Sequence, residues 1–115
     1  MSHWEEGDRV LAPWEPDWLY PGTIRCIDDD VAFIKFDDGD RRLAPLNELQ
    51  SIEIKEGTRV FSRVNQGAKM YYPAKVIECL GEDIQVRFDD GREERTTISY
   101  IRVPRKKGRF EAWHN

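Results

Sequence analysis

The sequence predicts an all-β protein built from two small β-barrels in tandem, and three observations carry that prediction. The chain repeats itself once, its apolar residues alternate with a period of two, and no stretch shows convincing helical periodicity. Gly7-Asp8-Arg9-Val10 returns as Gly57-Thr58-Arg59-Val60, an offset of 50 residues. Tyr20-Pro21-Gly22-Thr23-Ile24 returns as Tyr72-Pro73-Ala74-Lys75-Val76 at 52, and Phe36-Asp37-Asp38-Gly39 as Phe88-Asp89-Asp90-Gly91, also at 52. Leu46 and Leu49 match Ile98 and Ile101. One two-residue insertion before Tyr72 accounts for the change of offset. The repeat divides the chain into a first barrel over residues 1–52, a second over 53–103 and a basic tail over 104–115.

Each copy opens on a strand preceded by a glycine, Val10 to Pro13 and Val60 to Arg63. A second strand, Thr23 to Ile27 and Lys75 to Cys79, is expected after a Tyr-Pro turn. In the third, Ile84, Val86 and Phe88 alternate with Gln85, Arg87 and Asp89, which marks one buried face. Ala32, Ile34 and Phe36 hold the matching positions in copy one, with Phe33 facing the other way. Asp38-Gly39 and Asp90-Gly91 read as two-residue type I′ turns, which need positive φ at both positions. A fourth strand follows each turn, and a Leu- or Ile-bearing segment closes the barrel. A module of about 50 residues buries little core and is marginal alone. Residues 50–57 are too short a linker for independent tumbling, so the copies are expected to pack together or share strands.

The composition, 39% hydrophobic and 35% charged over 115 residues, is that of a globular chain rather than a disordered one. No apolar run approaches the roughly 20 residues that span a bilayer, and the acidic N-terminus is not a secretory signal. With two cysteines, Cys26 and Cys79, the expectation is a reduced intracellular protein with two semi-buried thiols. Net charge is unevenly spread: −7 over residues 1–50, zero over 51–103 and +3 over the tail. The acidic first half favours a cationic partner over a nucleic-acid duplex.

The residues Gly7, Val10, Ala12, Trp14, Trp18, Tyr20, Gly22, Ile24, Phe36, Asp37, Asp38 and Gly39 together resemble the pattern of Tudor-like domains. These are SH3-like barrels of the Royal superfamily, and the resemblance covers about residues 6–103. It implies two tandem SH3-like, Tudor-type barrels and a non-catalytic binding role. Tudor readers hold methylated lysine or arginine against aromatic faces near a carboxylate. Methylation removes hydrogen-bond donors and adds apolar surface, so aromatic faces solvate the cation better than water does. An acidic group adds charge and accepts any remaining N–H.

Carried onto this chain, the resemblance implies a cage of Trp14 on the first loop, Tyr20 at the start of strand two, Phe36 at the end of strand three, and Asp38. Trp18 and Asp40 fall at the rim, and Asp40 departs from the aromatic that family cages often carry after the Asp-Gly turn. Copy two keeps only Tyr72, Phe88 and Asp90, with Val64, Met70 and Arg92 in place of Trp14, Trp18 and Asp40. The first barrel is therefore the expected site.

Blander roles compete for the same residues. Phe36 and Phe88 share a face with Ile34 and Val86, which makes them core residues first. Tyr20 and Tyr72 recur in both copies and fit a structural place at the barrel mouth. Asp37, Asp38, Asp89 and Asp90 are turn formers. Trp14 and Trp18 discriminate, because copy two lacks both and still should fold. Asp28-Asp29-Asp30 lacks the spacing of a calcium loop and reads as a solvated hairpin tip. The histidines, His3 and His114, lie at the chain ends; no metal, cofactor or catalytic constellation is expected.

The sequence thus favours a monomeric reader of a methylated peptide, nuclear if it serves chromatin. The alternatives are a protein-protein or scaffolding module built on Trp14, Trp18, Tyr71 and Tyr72, and nucleic-acid binding through Arg105, Lys106, Lys107, Arg109, Phe110 and Trp113.

Overall fold

The computed structural model describes residues 3–64 and 67–105, which form an all-β, antiparallel structure. The first half contributes β1 (Arg9–Glu15), β2 (Trp18–Asp28), β3 (Val31–Phe36), β4 (Arg41–Pro45) and β5 (Gln50–Ser51). The second contributes β6 (Arg59–Ser62), β7 (Tyr72–Leu80), β8 (Asp83–Phe88), β9 (Glu93–Thr97) and β10 (Ile101–Pro104). A 3₁₀ turn, Leu46–Glu48 or Ile98–Tyr100, precedes the last strand of each half.

Both halves follow one plan: four strands run up and down, and the fifth returns to pair with the first. The repeat extends to single hydrogen bonds. Gly7 N–H donates to Ile24 O at 2.8 Å, and Gly57 N–H to Val76 O at 2.7 Å. Asp37 N–H reaches Pro21 O as Asp89 N–H reaches Pro73 O. Period-two patterning gives each half its own core. Ala32, Ile34 and Phe36 point inward from β3, and Ile84, Val86 and Phe88 from β8, all at most 3% exposed.

Gly22 and Ala74 illustrate how the two cores diverge. A Cβ on Gly22 would lie 2.8 Å from Ile34 Cγ2 and 3.0 Å from the Lys35 carbonyl oxygen, so β2 and β3 approach too closely there for a side chain. The second half has Ala74 at the Gly22 position and the smaller Val86 at the Ile34 position, so a methyl is gained on one strand and a methylene lost from the other.

Three local expectations are corrected. The Asp-Gly turns are not type I′, because only Gly39 (φ 97°) and Gly91 (φ 96°) have positive φ. Gly39 N–H donates to Phe36 O and Phe36 N–H to Asp40 O, the pattern of a turn over Asp37-Asp38 followed by a left-handed glycine bulge. Tyr20-Pro21 and Tyr72-Pro73 lie inside β2 and β7 rather than in turns; each proline adds no donor to the ladder, and its carbonyl accepts from Asp37 or Asp89. Finally, Cys26 is exposed rather than semi-buried, whereas Cys79 is half-buried and its Sγ lies 3.2 Å from Ile54 O. The Asp28-Asp29-Asp30 segment is an exposed hairpin tip, with Asp29 at φ 60° where the second half has Gly81 at 63°.

The halves are joined through β10. It pairs with β6 of its own half (Ile101 with Ser62, Arg102 with Phe61) and with β2 of the other (Val103 with Leu19, Pro104 with Trp18). Trp18 packs edge-on against Phe61 at 4.9 Å. Arg9 and Asp37 add a polar tie. The Arg9 guanidinium holds Asp37 through two bonds of 2.6 and 2.7 Å and also binds Glu82 at 2.9 and 3.1 Å, while Ser99 Oγ donates to Asp37 at 2.6 Å. Glu82 and Ser99 belong to the second half, so this network spans the junction. Both carboxylates raise the Arg9 pKa further above its ordinary value. Arg59 and Asp89 repeat the pair in the second half, but at 3.1 and 3.3 Å and more than half exposed.

Candidate functional site

An open cleft of about 560 Å³ lies where the two halves meet, walled by Trp14, Glu15, Tyr20 and Asp38 from the first half and by Arg63, Met70, Tyr71 and Arg102 from the second. Trp14 reaches it from a bulge at the end of β1. Pro13 pairs with Leu19 and Glu15 with Trp18, so Trp14 is the extra residue, and the bulge re-aims its side chain. Trp14 therefore sits on a strand, not on a loop as the sequence suggested.

Trp14 meets the Tyr20 ring at 5.1 Å and 67°, and lies nearly parallel to Phe36 at 5.6 Å and 24°. Tyr20 stands perpendicular to Phe36 at 6.5 Å and 89°. These rings touch one another. Phe36, 2% exposed, supports Trp14 from the core and does not line the cleft. Tyr71 supplies a further ring, 6.2 Å from Tyr20 at 78°. Asp38 is exposed at the cleft edge; its Oδ1 accepts the Asp40 N–H at 2.9 Å. Among the proposed residues the structure thus gathers Trp14, Tyr20, Phe36 and Asp38.

The two residues expected at the rim lie against arginines. Asp40 Oδ2 accepts from Arg42 Nε at 3.0 Å, and the Arg42 guanidinium sits 5.3 Å from the Trp14 ring centre. Trp18 shares the side of Tyr20, but the Arg102 guanidinium stands between them, 3.8 Å from Trp18, 4.3 Å from Tyr71 and 5.9 Å from Tyr20. Arg102 Nη1 also donates to the Tyr20 hydroxyl at 2.7 Å, and that hydroxyl donates to Glu15 Oε1 at 2.8 Å. Burial pushes the Tyr20 phenol up to about 12, against the opposing pull of Arg102. Tyr71 is raised for the same first reason, with Arg63 and Arg102 opposing. Counted at its walls, the cleft holds the carboxylates Glu15 and Asp38 against the cations Arg63, Lys69 and Arg102. It is not the acidic site that the first half's net charge suggested, because the second half lines it with arginine.

In the second half, Tyr72 is 44% exposed and Phe88 is buried at 3%. The Arg92 guanidinium covers the Phe88 ring at 5.0 Å and is held by Asp90 Oδ2 at 3.4 Å. No ring contact joins Tyr72 to Phe88 among the described residues. The tail residues Lys106, Lys107, Arg109, Phe110 and Trp113 lie outside the described residues, as does His114. Arg105 itself is anchored, with Nη2 on Glu48 Oε1 at 2.8 Å and its N–H on Asp17 O at 2.9 Å. Among the described residues no helix is long and apolar enough to cross a membrane.

Sequence reasoning placed Tyr71 only in a protein-protein surface and left Glu15, Arg63 and Arg102 out of the site. Tyr71 sits beside Tyr72, and it is Tyr72 that aligns with Tyr20 in the repeat. The only available signal was that an aromatic pair before a strand presents one ring to each side.

No protein-family model matches the chain. Among solved structures, it is similar to one described as the crystal structure of Crb2 tandem tudor domains, with a TM-score of 0.58 and 21% sequence identity, over 96% of this chain and 87% of that one. The fold is that of tandem Tudor domains.

Proposed function

We propose that the chain is a non-catalytic binding module that takes a methylated lysine or arginine side chain of a protein peptide at the junction cleft. The observation that carries this reading is the convergence of Trp14, Tyr20 and Tyr71 on one open cleft that also holds Glu15 and Asp38. Trp14 and Tyr71 offer half-buried rings, the buried Tyr20 stands steeply against both at 67° and 78°, and Asp38 offers an exposed acceptor to an N–H of a lower methylation state. A cation over such a ring gains about 0.5 to 1 kcal/mol when exposed and about 2 kcal/mol when desolvated. The peptide runs across both halves, and the second half serves as a wall and a brace. If the peptide is histone-like, the protein works inside the nucleus.

A second reading has its own support: the rings already hold guanidinium groups of the chain, Arg42 at Trp14 and Arg102 at Trp18 and Tyr71. On that reading the aromatic cluster is internal glue and the module is a scaffold without methyl selectivity. Calorimetric titration of one peptide in its unmodified, mono-, di- and trimethylated forms separates the two. Methyl reading requires tighter binding of a methylated form, lost in Trp14→Ala and kept in Tyr72→Ala. Equal binding of all four forms sinks it.

A further inference from the structure

Because the halves share one backbone plan, their outer faces can be compared position by position. On the outer face of the first half, Cys26 pairs with Phe33 and Phe33 with Leu43, a row across β2, β3 and β4. The same row in the second half is Glu78, Gln85 and Arg95. One copy presents a polar row to solvent, as an outer face should; the other presents an apolar row. Leu43 is 69% exposed, Cys26 is exposed and Phe33 is half-buried. Burial inside the chain therefore does not account for them.

The flanks of this row are oppositely charged. On one side Lys35 pairs with Arg41 across β3 and β4. On the other, Asp28 pairs with Val31, and the Asp28-Asp29-Asp30 tip borders a depression of about 530 Å³ that Val31, Phe33 and Leu43 also line. An apolar band thus runs between a basic edge and an acidic edge.

We propose that this face binds a second copy of the chain. A two-fold axis parallel to the Cys26-Phe33-Leu43 row lays one apolar band on the other. The same rotation brings the basic edge of each copy, with Lys35 and Arg41, against the acidic edge of the other, with Asp28 and Asp30. An isologous interface demands a self-complementary patch of this kind, and its charged edges fix the register. A foreign apolar segment gains both edges only if its own charges run in the reverse order. The patch is small, so the association is weak. It lies apart from the junction cleft and does not depend on what that cleft binds.

Sedimentation equilibrium of the full chain tests this over roughly 10 µM to 1 mM, the range expected of a patch this size. The average mass is expected to rise with concentration toward that of a dimer. Leu43→Gln, at a mostly exposed position, weakens self-association at least about tenfold without lowering the melting temperature. Asp28→Lys with Asp30→Lys weakens it too, and adding Lys35→Glu and Arg41→Glu to the same chain restores it. A chain that stays monomeric to the highest concentration overturns the proposal. So does self-association indifferent to Leu43→Gln, or a fourfold charge variant no better than the twofold one.

Discussion

Removal of the Asp37 carboxylate should cost far more than removal of Asp89, although the two occupy the same place in the repeat. Asp37 accepts two bonds from Arg9 and one from Ser99, all at 2.6 to 2.7 Å, and its side chain is 13% exposed. Breaking a buried pair leaves the partner charge uncompensated and costs about 3–5 kcal/mol when burial is complete. Arg9 is 30% exposed and retains Glu82, so a loss of about 2–3 kcal/mol is expected for Asp37→Ala. Asp89 holds Arg59 at 3.1 and 3.3 Å with both side chains more than half exposed, and such pairs contribute about 0–1 kcal/mol. Urea unfolding of the two single variants measures the difference directly. Because the Asp37 network joins the halves, its loss should also lower the slope of the transition or split it in two. Equal destabilisation by Asp37→Ala and Asp89→Ala would falsify the claim that the network is a structural tie.

Four further outcomes are expected. Gly22→Ala should destabilise by about 1–3 kcal/mol in thermal or urea unfolding, and Ile34→Val in the same chain should recover part of it, as Ala74 with Val86 does in the second half. Arg102→Ala should cost about 2–3 kcal/mol through lost stacking on Trp18 and Tyr71 and the lost bond to Tyr20; Arg102→Lys should not restore it, since an ammonium lacks the planar fork. The Tyr20 phenol, raised from about 10 in the unfolded chain to about 12, stabilises the fold fully below pH 10 and loses that contribution as pH rises through 12. Ultraviolet titration of tyrosinate should show the late step, and Tyr20→Phe should flatten the alkaline decline in stability. Cys26 should react with a thiol reagent at least about ten times faster than Cys79, which is half-buried beside Ile54 O.

Much of the fold was legible because it is written twice. Four anchors in the same order gave the strand order of both halves, and period-two runs such as Ile84, Val86 and Phe88 gave the buried faces. Turn chemistry was read less well. Asp38-Gly39 suits two turn types, and the choice depends on whether Asp37 joins the loop, which the Arg9 contact and the Pro21 carbonyl decide from elsewhere in the chain. The proposed site was legible only on its first-half wall. Trp14, Tyr20 and Asp38 follow from the first half's own strands and turn, but Tyr71 arrives from the residue before β7 and Arg102 from β10 of the other half. Periodicity within one element says nothing about which distant element will approach it. The same gap explains why the first half's acidity misrepresented the cleft, and why Trp18 and Asp40 came with guanidinium partners that the alignment did not foresee.

The position of β10 bears on how the protein is made. A chain emerging from the ribosome exposes the Trp18–Leu19 edge of β2 and the Phe61–Ser62 edge of β6 long before residues 101–104 are translated. Until then each half is a small, unbraced sheet with an open edge, the condition under which strands pair with the wrong neighbour. A premature stop before Ile101 therefore does not trim an end. It removes the middle of the assembled sheet and, among the described residues, the strand pairing that joins the two halves.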